Sequence, residues 1–375
     1  MSLLAFFTDP HLGLRRSSHT TLKSQGLYRD ALYEHVLEQI KRLTDPLLID
    51  KPSTLFCLGD LFDTFSNDEE TILQGHHVAS LCRHTLGGNH DVANRTDVIG
   101  SLHLIQKMLS DNGRPDAIIL SPDPGIPYAY RSDVLDTDVS LIFVPHCLTQ
   151  DVFASSLAIA ASKADPKRYN ILCLHCNVGD GFGDVEGHGS SLWLTSDLQD
   201  TLIQTFPLTL VGHEHEPREL HNGKIVILGN TFPVGFGEIE QRFIYGFNTE
   251  TRKLTKIMIF NPETYFEQLD AAYLMESGGV IETSRKLVEI TGKIRSVDFA
   301  AFSRAVMQFW KTNPELFAVR KNVETDKPLA AKRDDDAPEF IRRTLPDIVK
   351  DAVATAGFAA EYQEVAGETE ANEPK

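Results

Sequence analysis

The segment Leu208–His215, Leu-Thr-Leu-Val-Gly-His-Glu-His, constrains the fold of this chain more than any other. It is typical of a short apolar strand that runs directly into a turn carrying two histidines. Four upstream stretches share this form, because in each an apolar run precedes Asp, Asn or His side chains. These stretches end at Asp9-Pro-His11, Gly59-Asp60-Leu-Phe-Asp63, Gly88-Asn89-His90-Asp91 and His175. Polar residues that follow several strands predict one shared site at the edge of an α/β sheet.

Between these clusters, strand-like apolar runs alternate with apolar residues at helical spacing. Helices are predicted at residues 27–43, 68–81, 98–109, 151–163 and 197–206. Besides the strand in Leu208–His215, strands are predicted at residues 3–7, 54–58, 83–86, 139–144, 170–174, 224–228, 242–247 and 254–260. Because the first half alternates strand with helix and the second half is a run of strands, we expect an α/β sandwich with two sheets.

The ligand-type clusters all fall within residues 1–262, so we predict that this part forms the domain that carries the site. Residues 263–325 combine strand-like runs with one apolar helix face, which predicts a small α+β domain. Residues 326–338 are a predicted linker, and apolar spacing predicts a helix at residues 339–356. Residues 357–375 are acidic and poor in apolar side chains, so we expect this tail to be disordered.

The charge of the chain limits how it can bind nucleic acid. The chain has 36 Lys and Arg against 53 Asp and Glu, a formal net charge of −17, which argues against a broad basic surface. A metal-dependent nuclease is still compatible with this charge, because bound divalent ions offset carboxylates. Residues 10–29 contain no acidic residue, and they are either a solvated loop or a loop that meets a phosphate backbone. Candidate DNA contacts are Arg15, Arg16, Lys23 and Arg95.

The sequence predicts a protein of the cytoplasm. No apolar run approaches the roughly 18 residues of a membrane helix, so no membrane partner is expected. The first residues are predicted to form a strand and not a signal peptide. The five cysteines lie mostly in or beside apolar runs, as is typical of reduced core residues. Cys173 and Cys176 form one C-x-x-C without a second pair, so a zinc knuckle is not predicted.

The clusters together supply seven oxygen and nitrogen donors for metal ions. They are Asp9, His11, Asp60, Asn89, His175, His213 and His215. Seven donors suit two divalent ions if one carboxylate bridges them, and Asp60, in the tightest glycine-flanked turn, is the predicted bridge. Since no cysteine is included, the set favours Mn²⁺, Fe²⁺ or Mg²⁺, with Zn²⁺ as an alternative.

Two divalent ions can generate a hydroxide and stabilise both oxygens of a phosphoryl displacement. The leaving oxygen then needs a proton, and His90, next to Asn89, is the predicted general acid. We expect Asp91 to orient an imidazole. A single histidine is more often an ordinary core or surface residue, so the hypothesis depends on the ordered set. His146 and His188 are the remaining histidines for which a role at the site is considered.

In this order, Asp-x-His, Gly-Asp-x-x-Asp, Gly-Asn-His-Asp, a lone His after a strand and Gly-His-x-His resemble the signature of calcineurin-like metallophosphoesterases. The resemblance covers residues 3–260 and implies a two-sheet metallophosphoesterase sandwich flanked by helices. It also implies a division of the donors between two metals. One metal would take Asp9, His11, Asp60 and His215, and the other Asp60, Asn89, His175 and His213.

Asp-Pro-His-Leu-Gly and Gly-Asp-Leu-Phe-Asp-Thr resemble the DNA-repair nuclease branch, which includes bacterial SbcD, the meiotic-recombination-eleven nuclease and the phage recombination endonuclease small subunit. Residues 229–238 are similar to a segment of the phage members. This branch implies Mn²⁺-dependent cleavage of double-stranded DNA by a homodimer in a bacterial cell or phage-infected host. It further implies that residues 263–325 form a capping domain and that residues 339–356 bind a coiled-coil ABC ATPase of the SbcC type.

Two alternatives remain open. One is a small-molecule phosphodiesterase or phosphatase of the same superfamily, and the other is a non-catalytic scaffold that binds a partner ATPase. The Ser/Thr protein phosphatase branch would show Gly-Asn-His-Glu and an arginine after the Asp63 position, but this chain has Asp91 and Thr64. Archaeal relatives can carry a histidine where Asp63 stands, so a second catalytic imidazole is not expected here.

Overall fold

Eighteen strands and eight α-helices build the part of the chain that the computed structural model describes, residues 3–14, 19–21, 28–44, 53–92, 99–179, 192–233, 240–316 and 318–326. The strands are β1 (Leu3–Phe7), β2 (His19–Thr21), β3 (Thr54–Cys57), β4 (Cys82–Leu86), β5 (Ile118–Ile119), β6 (Tyr130–Asp133), β7 (Val139–Val144), β8 (Tyr169–His175), β9 (Asn177–Val178), β10 (Trp193–Leu194), β11 (Leu208–Gly212), β12 (Arg218–Leu220), β13 (Ile225–Ile227), β14 (Arg242–Asn248), β15 (Lys253–Phe260), β16 (Phe266–Asp270), β17 (Leu287–Ile294) and β18 (Ala318–Thr325). The helices are α1 (Tyr28–Thr44), α2 (Glu69–Leu81), α3 (Ser101–Asp111), α4 (Gln150–Lys163), α5 (Ser196–Thr205), α6 (Pro262–Tyr265), α7 (Ala271–Glu276) and α8 (Phe299–Thr312). All described residues except Asp326 belong to one compact unit, Met1–Thr325.

Two six-stranded sheets form the centre of this unit. The first has the strand order β15-β14-β1-β3-β4-β5, and the second has the order β12-β13-β11-β8-β7-β6. In the first sheet β1, β3, β4 and β5 are parallel, and in the second β13, β11, β8 and β7 are parallel. Because parallel strands share their direction, the residues that follow β1, β3 and β4 leave the first sheet at one edge.

Apolar side chains between the two sheets form the central core. Alternate residues of a strand point to opposite faces, so Phe6 and Phe56 contribute to this core while Phe7 faces the helices. The Phe6 and Phe56 rings stack with centroids 5.1 Å apart, and Phe56 reaches Phe143 of the other sheet at 6.2 Å. Burying each of these rings contributes about 1.5–3 kcal/mol.

Helices cover the outer faces of both sheets. Val36 of α1 and Ile105 of α3 pack in the core cluster outside the first sheet, and Phe153 of α4 and Leu202 of α5 pack outside the second. The mixed α/β sandwich with flanking helices that the sequence predicted is therefore confirmed. Among the described residues, no helix combines the length and the apolar composition that crossing a bilayer requires. The five cysteines are buried and free.

A third, four-stranded sheet has the order β16-β17-β18-β2. Its first three strands are parallel, and α7 and α8 pack on it through Leu274 and Phe302. Strand β2 comes from the basic segment after His11 and pairs antiparallel with β18. The prediction of a loop over residues 10–29 is therefore wrong at residues 19–21, because the partner strand is remote in sequence. The helix predicted at residues 339–356 and the tail at 357–375 lie outside the described residues.

Candidate metal centre

The segments that follow β1 and β3 run side by side and bring the first two polar clusters together. The amide of Asp9 donates to the carbonyl of Gly59 at 3.0 Å, and that of His11 donates to the carbonyl of Asp60 at 3.2 Å. Asp9, His11 and Asp60 adopt φ values of 52°, 45° and 47°, and His213 has φ 92°. Non-glycine residues rarely occupy this region, and such conformations gather where the surrounding structure enforces them. Four of the eight non-glycine residues of this kind among those described lie here.

Asp60 occupies the middle of the site. Its Oδ1 accepts the backbone N–H of His90 at 2.9 Å, and its Oδ2 lies 3.2 Å from Nε2 of His175. Burial opposes ionisation of Asp60, but the surrounding imidazoles, with His175 first, outweigh it and hold the pKa below its usual value. The carboxylate is therefore charged and stays available to cations on both sides.

One group of donors comprises Asp9, His11 and His215, whose ligand atoms all lie within 4.8 Å of one another. The two Nε2 atoms of His11 and His215 are 3.1 Å apart. Oδ2 of Asp9 accepts the backbone N–H of His213 at 3.0 Å and the hydroxyl of Thr8 at 2.5 Å. Oδ1 of Asp9 is buried without a hydrogen-bond partner, and burial raises the pKa of this carboxyl. An orphaned carboxylate oxygen beside two imidazoles fits a bound cation.

A second group comprises Asp60, His175 and His213, again within 4.8 Å of one another. Oδ1 of Asn89 joins it, at 3.1 Å from Nε2 of His175 and 2.8 Å from Nδ1 of His213. The backbone carbonyl of Leu58 accepts from Nδ1 of His175 at 2.8 Å, which fixes the ring so that Nε2 faces the other donors.

The charges and protonation states of the histidines in both groups also fit a cation. Burial disfavours protonation of His175, but the carboxylates of Asp60 and Asp9 outweigh it and raise its pKa to about 10. Burial lowers the pKa of His213 and of His11 to about 3, so both rings are neutral and each can offer a lone pair. Without metal the buried carboxylates retain a proton on His175, and a divalent cation would take the place of that proton.

His90 lies beside both groups. Its Nδ1 donates to the carbonyl of Asp63 at 2.6 Å, which leaves Nε2 as the ring nitrogen able to transfer a proton. The His90 ring contacts the His11 ring edge to face, with centroids 5.0 Å apart. A third group of atoms within 4.8 Å joins His11, Asp60 and His90, so His90 also has the geometry of a ligand. The Asp63 carboxylate lies 3.5 Å from Nδ1 of His11.

The Asp91 carboxylate binds backbone amides, and its orientation of an imidazole stays a prediction. Its Oδ2 accepts the amides of Leu61 at 3.2 Å and Gly88 at 3.0 Å, and its Oδ1 accepts that of Phe62 at 3.0 Å. Burial and then the charge of Asp60 raise the pKa of Asp91 to about 7. Asp91 therefore ties the loop after β3 to the loop after β4, because amides of both loops need an acceptor there.

Of the remaining predicted residues, only His146 lies in the part of the chain that the structure describes. The candidate DNA contacts Arg15, Arg16, Lys23 and Arg95, together with His188, lie outside the described residues. His146 is buried near the site: its amide donates to the carbonyl of Gly87 at 3.0 Å, and burial and then His175 lower its pKa to about 4. The sequence analysis missed Thr8, whose hydroxyl donates to Asp9, and it missed Glu214 and Arg218, which contact the backbone of Val178.

We predict that Gly88→Ala weakens metal binding. A Cβ at residue 88 would lie 2.5 Å from the amide nitrogen of Asp60, 2.8 Å from Nε2 of His175 and closer still to Oδ1 of Asp60. Asp60 must move to relieve the clash, so Mn²⁺ affinity should fall about 10–100-fold, the range for a disturbed ligand support. Isothermal titration calorimetry measures this affinity. Gly125→Ala is the control, because its Cβ would lie 3.3 Å from its nearest neighbour, Oδ1 of Asp123. Equal affinities of the two variants would contradict the prediction.

The sandwich and the donor set together define a metal-dependent phosphoesterase. The chain belongs to the calcineurin-like phosphoesterase family, since the sequence profile of that family matches residues 3–217, more than half of its length. It is accordingly a hydrolase of phosphoester bonds from a family that uses divalent metals, and it contains groups of residues suited to hold them.

Comparison with individual proteins adds only distant likenesses. No curated protein matches the chain. A candidate 5′-nucleotidase from Staphylococcus aureus shares 14% identity with a TM-score of 0.38, covering 68% of this chain and 53% of its own. This chain thus spans about half the length of that protein. An archaeal phosphodiesterase has 12% identity and a TM-score of 0.32, covering 68% of this chain and 99% of its own. A metallophosphoesterase from Sphaerobacter thermophilus has 13% identity and a TM-score of 0.29, covering 82% and 99%.

Proposed function

We propose that this protein is a metal-dependent DNA nuclease that hydrolyses phosphodiester bonds with two divalent ions, with Mn²⁺ as the metal. The observation that supports this most directly is the pair of donor groups on either side of Asp60, with His90 next to both. The donors are carboxylate oxygens, an amide oxygen and imidazole nitrogens, a mixture that Mn²⁺ accepts.

The residues divide into binding and proton-transfer roles. Asp9, His11 and His215 would hold one ion, Asn89, His175 and His213 the other, and Asp60 both. When bound, the ions supply an activated water and stabilise the negative charge that develops on the phosphoryl group. His90 gives a proton to the leaving alkoxide oxygen from Nε2, because its Nδ1 is engaged with Asp63. Asp63 therefore holds the ring of His90 in the tautomer that this step needs.

A DNA substrate is favoured by the motifs around the donors and by the third sheet. A phosphodiesterase of small molecules does not need residues 263–325, which form the larger part of a four-stranded sheet with two helices on one side. Strand β2 connects this sheet to the basic segment that follows His11. The segment that would meet a phosphate backbone is therefore anchored to the third sheet at residues 19–21.

We further propose that the protein acts in the cytoplasm as a homodimer with a coiled-coil ABC ATPase in DNA recombination, repair or replication. The formal charge of −17 suits a subunit that shares its grip on DNA with such a partner.

The test is cleavage of linear duplex DNA by the full chain with Mn²⁺, alone and together with a coiled-coil ABC ATPase of the SbcC type. Bis(p-nitrophenyl) phosphate and nucleoside monophosphates are assayed in parallel. We expect nicking or shortening of the duplex that EDTA abolishes. If the protein hydrolyses the small phosphoesters and leaves DNA intact in both arms, the nuclease proposal is wrong. The protein is then a small-molecule phosphodiesterase. Metal binding without hydrolysis of any substrate would indicate a scaffold.

A further inference from the structure

Glu214 lies between two of the proposed ligands, His213 and His215, yet among the described residues its carboxylate is not part of any metal-binding group. Its Oε1 instead accepts the backbone N–H of Val178 at 2.5 Å. Its Oε2 forms an ion pair with the guanidinium of Arg218 at 2.7 Å, and the same guanidinium donates to the carbonyl of Val178 at 2.8 Å. Glu214, Arg218 and both backbone groups of Val178 thus form a closed set of contacts, called the Val178 clamp below.

The clamp binds the backbone N–H and C=O groups of Val178, which a neighbouring strand would otherwise bind. Strand β9 pairs with β10 on one side, where the amides of Asn177 and Gly179 donate to the carbonyls of Leu192 and Leu194 at 2.9 and 3.1 Å. The polar groups of alternate residues in a strand point to opposite sides, so those of Val178 face away from β10. A carboxylate and a guanidinium there satisfy one donor and one acceptor that would otherwise lack partners.

The two ends of the clamp belong to different parts of the donor set. Val178 is three residues after His175, at the end of β8, and Glu214 lies inside the turn that carries His213 and His215. The parallel pairing of β8 with β11 places His175 opposite Gly212, and beyond it the amide of Cys176 donates to the carbonyl of Gly212 over a long 3.4 Å. The turn also contains the left-handed backbone of His213, which a surrounding constraint must maintain. The clamp supplies such a constraint.

Its character differs from that of an ordinary surface ion pair. Exposed pairs contribute about 0–1 kcal/mol and order little. The Arg218 side chain is 44% exposed, but that of Glu214 is only 19% exposed, and both of its oxygens have partners. Because Arg218 balances its charge, Glu214 can lie beside the donors without competing for a cation.

We propose that Glu214 and Arg218 are positioning residues that hold His175 and the His213–His215 turn in the arrangement that binds metal. The inference rests on the proposed two-cation site and adds the residues that determine its geometry. Loss of the clamp should lower Mn²⁺ affinity, since removing groups that orient ligands costs about 10–100-fold in affinity. Once Mn²⁺ is saturating, kcat should return towards the wild-type value, because neither residue touches the reacting atoms.

The experiment compares Glu214→Ala, Glu214→Gln and Arg218→Lys with the wild-type chain. Mn²⁺ affinity is measured by calorimetry on metal-free protein, and kcat and KM for bis(p-nitrophenyl) phosphate are measured at low and saturating Mn²⁺. Glu214→Ala should bind Mn²⁺ at least tenfold more weakly. Glu214→Gln keeps an acceptor for Val178, and Arg218→Lys keeps a cation, so both should retain intermediate affinity even if the alanine variant fails to fold. Lys107→Ala is the matched control, because it removes an exposed i,i+4 pair with Asp111 on α3.

The outcomes separate this inference from the proposed function. If the wild type and Lys107→Ala bind Mn²⁺ and the Glu214 variants bind it equally tightly, the clamp has no positioning role and the metal site stands. A fall in the urea midpoint with unchanged Mn²⁺ affinity would likewise overturn the inference, because it indicates a purely structural contact. If the wild type binds no Mn²⁺, the inference and the proposed function fail together.

Discussion

Replacing His90 by alanine will reduce phosphodiester cleavage by about 10²–10⁴-fold, the usual contribution of a general acid, and will leave bound metal at the wild-type level. The proton for the leaving oxygen is lost with the imidazole. The hydrogen bond that orients Asp60 is retained. An alanine at residue 90 still donates its backbone N–H to Oδ1 of Asp60, a contact that measures 2.9 Å with His90. Steady-state kinetics at saturating Mn²⁺ gives kcat, and elemental analysis of dialysed protein gives the metal content.

The metal content decides between two roles for this residue. His90 also has a ring nitrogen close enough to the donors of His11 and Asp60 to serve as a ligand. Loss of an ion together with activity would reject the general-acid role in favour of ligation. His77→Ala is the matched control, because His77 is an exposed histidine whose ring contacts the hydroxyl of Tyr33. It should retain full activity and both ions.

The convergence of the donors could be predicted because the signal is local. An apolar run must be buried, and a polar cluster directly after it must lie where the strand ends. When several such strands are parallel, their ends share one edge, so Asp9, Asp60 and Asn89 were expected to meet. The structure places Asp60 within 3.2 Å of His175, although the two residues belong to different sheets.

Residues that act through backbone groups could not be predicted in this way. The partners of Asp91 are the amides of Leu61, Phe62 and Gly88, and which amides lack an acceptor is known only once the loops are folded. Glu214 gave no signal beyond its place in Gly-His-x-His, because its contact with Val178 crosses 36 residues. Hydrogen bonding of this kind depends on tertiary structure and leaves no periodic pattern.

Very short strands were missed for a related reason. Strands β9 and β10 have two residues each, too few for any alternation of apolar and polar side chains. Strand β2 lies in a basic, Ser/Thr-rich segment and is defined by its pairing with β18. Strand propensity depends strongly on such partners. The helix α8, by contrast, has fourteen residues, and its prediction from Phe299, Phe302, Val306 and Phe309 is confirmed. The last three of these residues lie in the core beside the third sheet, whereas Phe299 is 46% exposed.

Asp60→Asn should reduce both metal binding and cleavage, unlike a substitution that removes only the general acid. The side-chain amide of the new asparagine keeps an oxygen that accepts the backbone N–H of His90, so the fold of the loop is retained. The negative charge between the two donor groups disappears. Without that charge neither group has enough carboxylate to hold its ion tightly, and we expect at most one Mn²⁺ per chain. Since metal ions supply several kcal/mol of charge stabilisation to the reaction, cleavage should fall by about 10³-fold or more.

Calorimetry with Mn²⁺ gives the stoichiometry of this variant, and cleavage assays give its rate. Asp111→Asn is the control, because Asp111 is an exposed carboxylate whose partner is Lys107, and it should bind two ions and retain activity. An Asp60→Asn protein that still binds two ions with wild-type affinity would show that this carboxylate does not bridge them. The two donor groups would then act independently, and the proposed division of the site around Asp60 would be wrong.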